Sequence, residues 1–533
     1  MKHVGKPYKR ETFDDSYDAI VVGSGIGGLT AAALLARYGN KRVLVLERHY
    51  TAGGFTHVFK RPGYEWDVGL HYIGEVNQAG DIRRAFDNLT EGRLAWNPLP
   101  EVYDRIRIDQ RTYEFPSGAG NFGERMKAYF PNDSVAIDKY VALVQTAAKA
   151  SRLFIGGKAS LVLPTAVAGG GARSRFLRFA DRTTADVISG MTDNKELMAV
   201  LTGQWGDYGL PPAQSSFAIH AIIANHYLEG AGYPIGGASE IAASIAPLIE
   251  RDGGKIIVDA EVSRILINKG GGAYGVRMID GREIHSPIII SDAGAYNTFA
   301  RLIEPALSDA LELTGKIAEL GPSMSHLCLY VGIKHGDGNA ELDGANLWVY
   351  PDADHDGNLA RFSDDPEAPF PALFISSPSA KDPTFKQRYP GRSTIEVIVP
   401  APYRWFERWS DQRWGRHCED YKAFKEQLAK RIQTELEKNL PWTAGKICHA
   451  ELSTPLSTRH FTNYAHGEIY GLPATPARFR LNELNARTPI KNLFLTGQDV
   501  ATLGVVGALS GGVICASSIM SQNLAAVIFQ PSN

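Results

Sequence analysis

The first fifty residues carry two kinds of apolar run with different periods. Residues 19–22 and 42–46 are short and nearly continuous in Val, Ile and Leu, the pattern of parallel strands buried on both faces. Residues 29–38, between them, are rich in Leu and Ala and predict a helix. The order is strand, glycine turn, helix, strand. Further along, residues 255–258 and 260–267 read as strands. Residues 273–279 and 282–291 flank Asp280-Gly281, a tight hairpin signal. The run Ile288-Ile289-Ile290 predicts a strand returning to the first sheet, and residues 492–499 another short strand before a helix start. Residues 420–438 have the spacing of an amphipathic helix, and the nearby Trp405, Trp409 and Trp414 are expected to pack in the core.

Composition narrows the class. The 533 residues are 44% hydrophobic and 21% charged, an ordinary globular balance. Lys+Arg 56 against Asp+Glu 58 leaves a net charge of -2, so no nucleic-acid partner is expected. Cys328, Cys418, Cys448 and Cys515 are far apart, with neither a disulfide framework nor metal spacing, and a cytoplasmic compartment is expected. Met1 to Arg10 is polar and lacks the apolar run of a signal peptide. Residues 501–520 carry no charge and reach the length of about 20 that spans a bilayer. Gly, Ser, Thr and Ala outnumber large aliphatics there, which predicts a buried, closely packed helix instead.

The turn after the first strand is Gly23-Ser24-Gly25-Ile26-Gly27-Gly28. Each glycine has a use in dinucleotide binding: Gly23 for the tight turn, Gly25 for backbone approach to a pyrophosphate, Gly28 for close helix–strand packing. The helix N-terminus presents N–H groups and a partial positive charge to phosphate. Glu47, at the end of the second strand, is placed to accept from a ribose.

Residues 48–59 then bring Arg48 and a second glycine pair, Gly53-Gly54. With the first turn they resemble the flavoprotein family of phytoene desaturases, carotenoid isomerases and retinol saturases, and the saturase branch most closely. Further support comes from Tyr208-Gly209-Leu210-Pro211-Pro212, residues 233–240, Tyr470-Gly471-Leu472 and residues 495–499 followed by 506–510. The resemblance implies FAD, with Val262 against the adenine, and Gly497, Asp499, Val506 and Gly507 completing the site. It implies an α/β fold: a Rossmann-like, glutathione-reductase-like FAD-binding domain from residues 1–80, 234–300 and 486–533. Residues 81–233 and 301–485 would form a discontinuous mixed-sheet substrate domain with a helical cap. The implied activity is reduction of a carbon–carbon double bond in a polyene or isoprenoid lipid. Isomerisation or desaturation on the same scaffold, and a lipid escort without flavin, are the alternatives.

Reducing an alkene needs a proton as well as electrons. His71 is the first candidate to donate it, ahead of Tyr72, His460, His466 and Tyr470. No metal is required. The nearest thing to a second dinucleotide turn, Ala168-Gly169-Gly170-Gly171, reads as a loop, so an external electron donor or acceptor must reach the flavin directly. Residues 149–182 interleave seven cations with Leu153, Phe154, Ile155, residues 161–163, Phe176, Leu177 and Phe179, which suggests peripheral contact with an anionic membrane.

Overall fold

The computed structural model describes residues 3–78, 80–159, 169–335 and 343–529. Its nucleus is a six-stranded parallel sheet, in the order Lys6–Pro7, Lys255–Val258, Val43–Leu46, Ala19–Val22, Ile289–Ser291, Leu493–Leu495. Ala19–Val22 and Val43–Leu46 are buried at every position, as their unbroken apolar runs require. Residues from both ends and the middle of the chain therefore build one sheet.

Two helices cover one another beside the glycine turn. Ile26–Gly39 buries eleven residues and ends at Asn40, whose φ of 48° lets its N–H close back on the Leu35 carbonyl. Gly504–Met520 packs against it and lies within the uncharged run noted above, buried at Gly507, Leu509 and all of residues 511–518. A Cβ on Gly512 would lie 2.5 Å from Thr30 Cβ and 2.6 Å from the Gly27 carbonyl, so small residues set the approach. Among the described residues no helix is long and apolar enough to cross a membrane.

A second sheet has seven strands, in the order Ile447–Ser453, His326–Lys334, Arg392–Pro400, Leu373–Ser376, Asn346–Tyr350, Val102–Ile108, Arg111–Pro116. All its pairs are antiparallel except Asn346–Tyr350 with Val102–Ile108. Glu419–Asn439 lays Leu428, Ile432 and Leu436 on one face of it, over Leu329, Val331, Ile395 and Val397. The opposite side faces the parallel-sheet half across the cavity described below.

Three sequence readings change. The glycine run at 168–171 is not a loop where it is described: Gly169–Ala180 is a helix. Phe176 on that helix is buried, stacked on Phe154 at 4.4 Å and edge-on to Phe479, so tertiary packing overrides the glycines. The expected strand at 282–291 breaks into Glu283–His285 and Ile289–Ser291 at Pro287, which has no N–H for a ladder. Trp409 packs in the core, but Trp414 is 37% exposed and stacks on His460.

Candidate functional site

Glycines far apart in sequence press together at the start of helix Ile26–Gly39. A Cβ on Gly27 would lie 2.4 Å from Gly497 Cα, and one on Gly54 3.0 Å from Gly25 Cα. Gly23 has φ of +100°, open to glycine and strained for other residues. A Cβ on Gly25 would point at Asp292, 2.6 Å from Oδ2. The result is a cradle of bare backbone at a helix N-terminus, a ready anion site.

Glu47 is held beside the cradle. Its Oε2 accepts from Ser24 N at 2.9 Å and Ser24 Oγ at 2.6 Å, and its Oε1 from His49 N at 2.7 Å. Asp292 lies beneath the turn. Burial, with the charge of Glu47 added, pushes it up to about 7 against the N–H groups of Gly28 and Gly25.

A cavity of about 580 Å³ runs from this cradle to the second sheet. Gly23, Ser24, Gly25, Gly27, Glu47, Arg48, Gly53, Gly54, Val262, Gly497 and Asp499 all line it. Gly28, Val506 and Gly507 are not on its wall, where Gly504, Val505 and Ala508 stand instead. Gly28 and Gly507 are packing positions: a Cβ would meet the Gly23 carbonyl at 2.6 Å and the Thr502 carbonyl at 1.9 Å. Asp499 does not cap the helix that follows it in sequence. Its carboxylate accepts from Ala295 N at 2.8 Å, at the start of the short helix Ala295–Asn297, and from Leu472 N at 3.0 Å, tying two remote segments together. Arg48 donates to the His460 carbonyl at 2.5 Å.

The far end of the cavity is aromatic and apolar, with Phe59, Tyr330, Trp348, Phe374, Ile398 and Tyr470 on the wall. Of the proton-donor candidates, His71 and Tyr470 reach the wall, while Tyr72, His460 and His466 are not among its lining residues. His71 Nδ1 lies 3.0 Å from Glu396 Oε2. The two are dry neighbours and not an ion pair: burial pushes the Glu396 carboxyl well up and His71 down to about 3.

Sequence reasoning missed the polar floor behind this wall. Lys381 donates to the His71 carbonyl at 2.9 Å, Asn346 Oδ1 at 2.5 Å and Ser376 Oγ at 2.7 Å. Burial lowers its amine to about 8. Asp104 and Asp207 meet the hydroxyl of Tyr72, and Asp207 itself lines the cavity. The signal existed for Glu396, an acid between Ile395 and Val397 in an apolar strand run, but not for Asp104, whose strand also carries Arg105 and Arg107. None pointed to Asp207.

In the cationic stretch Lys149, Arg152, Arg175, Arg178 and Arg182 are exposed and Arg173 is half-buried. Lys158 is half-buried, donating to the Leu484 and Val500 carbonyls and lowered by desolvation to about 7. Leu153 is 50% exposed, Phe154, Ile155, Leu177 and Phe179 are half-buried, and residues 161–163 lie outside the described residues.

A glycine cradle at the C-terminal end of a central strand of a parallel sheet, joined by one cavity to an apolar chamber, defines an oxidoreductase built on a dinucleotide-binding domain. The family model of the NAD(P)-binding Rossmann-like domain matches residues 21–89. The fold aligns with putrescine oxidase bound to putrescine, TM-score 0.63 at 15% identity, over 95% of this chain and 99% of that one. The chain belongs to the all-trans-retinol 13,14-reductase family. It is 38% identical to the all-trans-retinol 13,14-reductase of Danio rerio over 96% of this chain and 87% of the relative. It is 26% identical to prolycopene isomerase 2 of an Oncidium hybrid cultivar, over 95% of this chain and 84% of that protein.

Proposed function

We propose that the protein is an FAD-dependent reductase that saturates one carbon–carbon double bond of a retinoid-like polyene. The observation that carries this reading is the unbroken cavity from the glycine cradle to an aromatic, apolar chamber, in a member of the retinol-reductase family. The residues fit FAD. Gly23, Ser24, Gly25 and Gly27 offer bare backbone to a pyrophosphate, and Glu47 with Arg48 faces the ribose position. The resemblance assigns Val262, which lines the cavity, to the adenine, and Gly54 and Gly497 press on Gly25 and Gly27 in the cradle itself, next to Gly53. Asp499 lines the wall, while Val506 and Gly507 lie behind it in the first turn of helix Gly504–Met520. Bound FAD would supply the redox chemistry; the chain supplies orientation and an apolar enclosure.

The substrate has no carbonyl to polarise, so the chamber's task is to hold an alkene and exclude water. Electrons would reach the flavin from an external donor. We place the protein in the cytoplasm, with peripheral membrane contact through the cations at 149–182 as a further proposal.

Two measurements test the reading. Heat-released cofactor from purified protein should co-elute with FAD, and a protein that neither holds nor takes up FAD overturns it in favour of a lipid escort. Photoreduced holoenzyme, incubated anaerobically with all-trans-retinol and with carotenoids, should give a product two hydrogens heavier. An unchanged mass with altered retention means isomerisation, the reading that the prolycopene isomerase relative favours, and loss of two hydrogens means desaturation.

A further inference from the structure

Tyr72, Asp207 and Asp104 meet in a way that fixes the position of one proton. Tyr72 Oη lies 2.8 Å from Asp207 Oδ2 and 2.9 Å from Asp104 Oδ2. A phenol has one hydrogen and donates to one acceptor at a time. The other short oxygen–oxygen contact needs a hydrogen of its own, so one of the two carboxyls is a neutral acid.

The surroundings decide which. Asp104 Oδ1 accepts from Asn346 Nδ2 at 2.8 Å, and Oδ2 from Gln204 Nε2 at 2.7 Å and Trp348 Nε1 at 3.3 Å. The orientation of the Asn346 amide is fixed, because its Oδ1 accepts from Lys381 Nζ, which can only donate. Three N–H donors favour the ionised form of Asp104. The Asp207 side chain has no hydrogen-bond partner but Tyr72 among the described residues. Asp207 therefore carries the hydrogen and gives it to Tyr72 Oη, which gives its own to Asp104.

We propose that Asp207, a neutral carboxylic acid on the cavity wall, is the proton donor to the substrate double bond; the assignment rests on the reductase reading above.

The local fold presents this acid to the chamber. Asp207 ends the turn Trp205–Asp207, flanked by Gly206 and Gly209. A Cβ on Gly206 would lie 2.6 Å from the Trp348 ring and one on Gly209 2.6 Å from the Tyr470 ring, so the turn fits between the two aromatics only without side chains there. Tyr470 Oη pins the turn by donating to the Gly206 carbonyl at 3.1 Å. Burial and the charge of Asp104 hold the Asp207 carboxyl well above the usual carboxylate range, against the Tyr72 hydrogen bond and the Lys381 charge. Tyr72, Tyr208, Tyr227, Tyr350 and Tyr470, the phenols around it, are all pushed up by burial and stay neutral.

The step balances. The alkene π bond would break: one carbon would take a hydrogen with its electron pair, which bound reduced FAD would supply, and the π pair would form the second C–H bond. The other carbon takes the Asp207 proton, whose O–H electrons remain on the carboxylate. The Tyr72 hydrogen then turns from Asp104 to the new carboxylate, while Asp104 keeps its three N–H donors. Water admitted after product release restores the proton.

The test uses holoenzyme and its Asp207→Asn variant, which keeps the shape without the acid. In infrared difference spectra the wild type should show the C=O stretch of a neutral carboxylic acid that D207N lacks. D207N should bind FAD and accept photoreduction as the wild type does, yet saturate all-trans-retinol about 10²- to 10⁴-fold more slowly. Tyr72→Phe removes the acceptor and should shift the band without abolishing it, which serves if D207N does not fold. D207N turning over at the wild-type rate, or a wild-type spectrum without the band, overturns the assignment and leaves the reductase reading standing. A wild type that yields no heavier product with any polyene overturns the reading, and the donor role with it.

Discussion

Neutral imidazole is a weak acid, and the surroundings of His71 keep it neutral. Burial and the Lys381 charge lower its pKa to about 3, against about 6.5 in an unfolded chain. Below about 6.5 the unfolded state takes up a proton that the folded state refuses, so this residue's share of stability is full above that pH and lost as pH falls toward 3. His71→Gln should accordingly blunt the acid sensitivity of unfolding between pH 6 and 4, measured by urea titration. The rate should carry a different signature. Saturation needs Asp207 protonated, so its rate should be level at low pH and fall about tenfold per unit above the raised Asp207 pKa. H71Q should leave that alkaline limb where it is. A limb that moves or vanishes in H71Q would return the proton-donor role to His71.

Helices show how glycine means different things in one chain. Gly512 stands where helix Gly504–Met520 crosses Ile26–Gly39, and a Cβ there would meet Thr30 Cβ and backbone at 2.5–2.6 Å. Gly512→Val should force the helices apart, cost about 1–3 kcal/mol and weaken cofactor retention, because the displaced helix also backs Gly497. Gly315, inside Glu312–Leu320, is exposed with nothing within 4 Å of an added Cβ. Gly315→Ala should stabilise by about 0.4–1 kcal/mol, and thermal melts of the pair separate the two roles. Elements of this kind were legible wherever period and turn chemistry agree. The first strand appears at residues 19–22 as read, and the hairpin turns at Asp280-Gly281 with Gly281 at φ of +92°. What stayed hidden depends on packing between remote segments. The helix at Gly169–Ala180 forms because Phe176 finds Phe154 and Phe479. The meeting of Asp207 with Tyr72 and Asp104 joins residues more than a hundred positions apart, which no local pattern encodes.

At the scale of the whole molecule, a bound dinucleotide would join parts that the chain keeps far apart. The cradle takes Gly23–Gly27, Gly53-Gly54 and Gly497 from opposite ends of the sequence. One continuous core holds Ile20 and Leu44 of the parallel sheet together with Ile106, Trp348 and Phe374 of the second sheet. A ligand that binds only the folded state stabilises it by RT ln(1 + [L]/Kd), about 4.1 kcal/mol at a thousandfold excess over Kd. Unfolding entropy of about 2.1 cal/mol/K per residue, over 533 residues, makes each kcal/mol worth about 1 °C if the molecule melts as a unit. FAD added to apoprotein at that excess should therefore raise Tm by about 4 °C in one calorimetric transition. A piece of half the length melting alone would move by about twice as much and split the endotherm. Gly27→Val places side-chain atoms against Gly497 backbone, and should lose the FAD increment as well as some of the apoprotein's own Tm. An unchanged melting curve on adding FAD, in apoprotein shown to be folded by circular dichroism, overturns the assignment of the cradle to this cofactor.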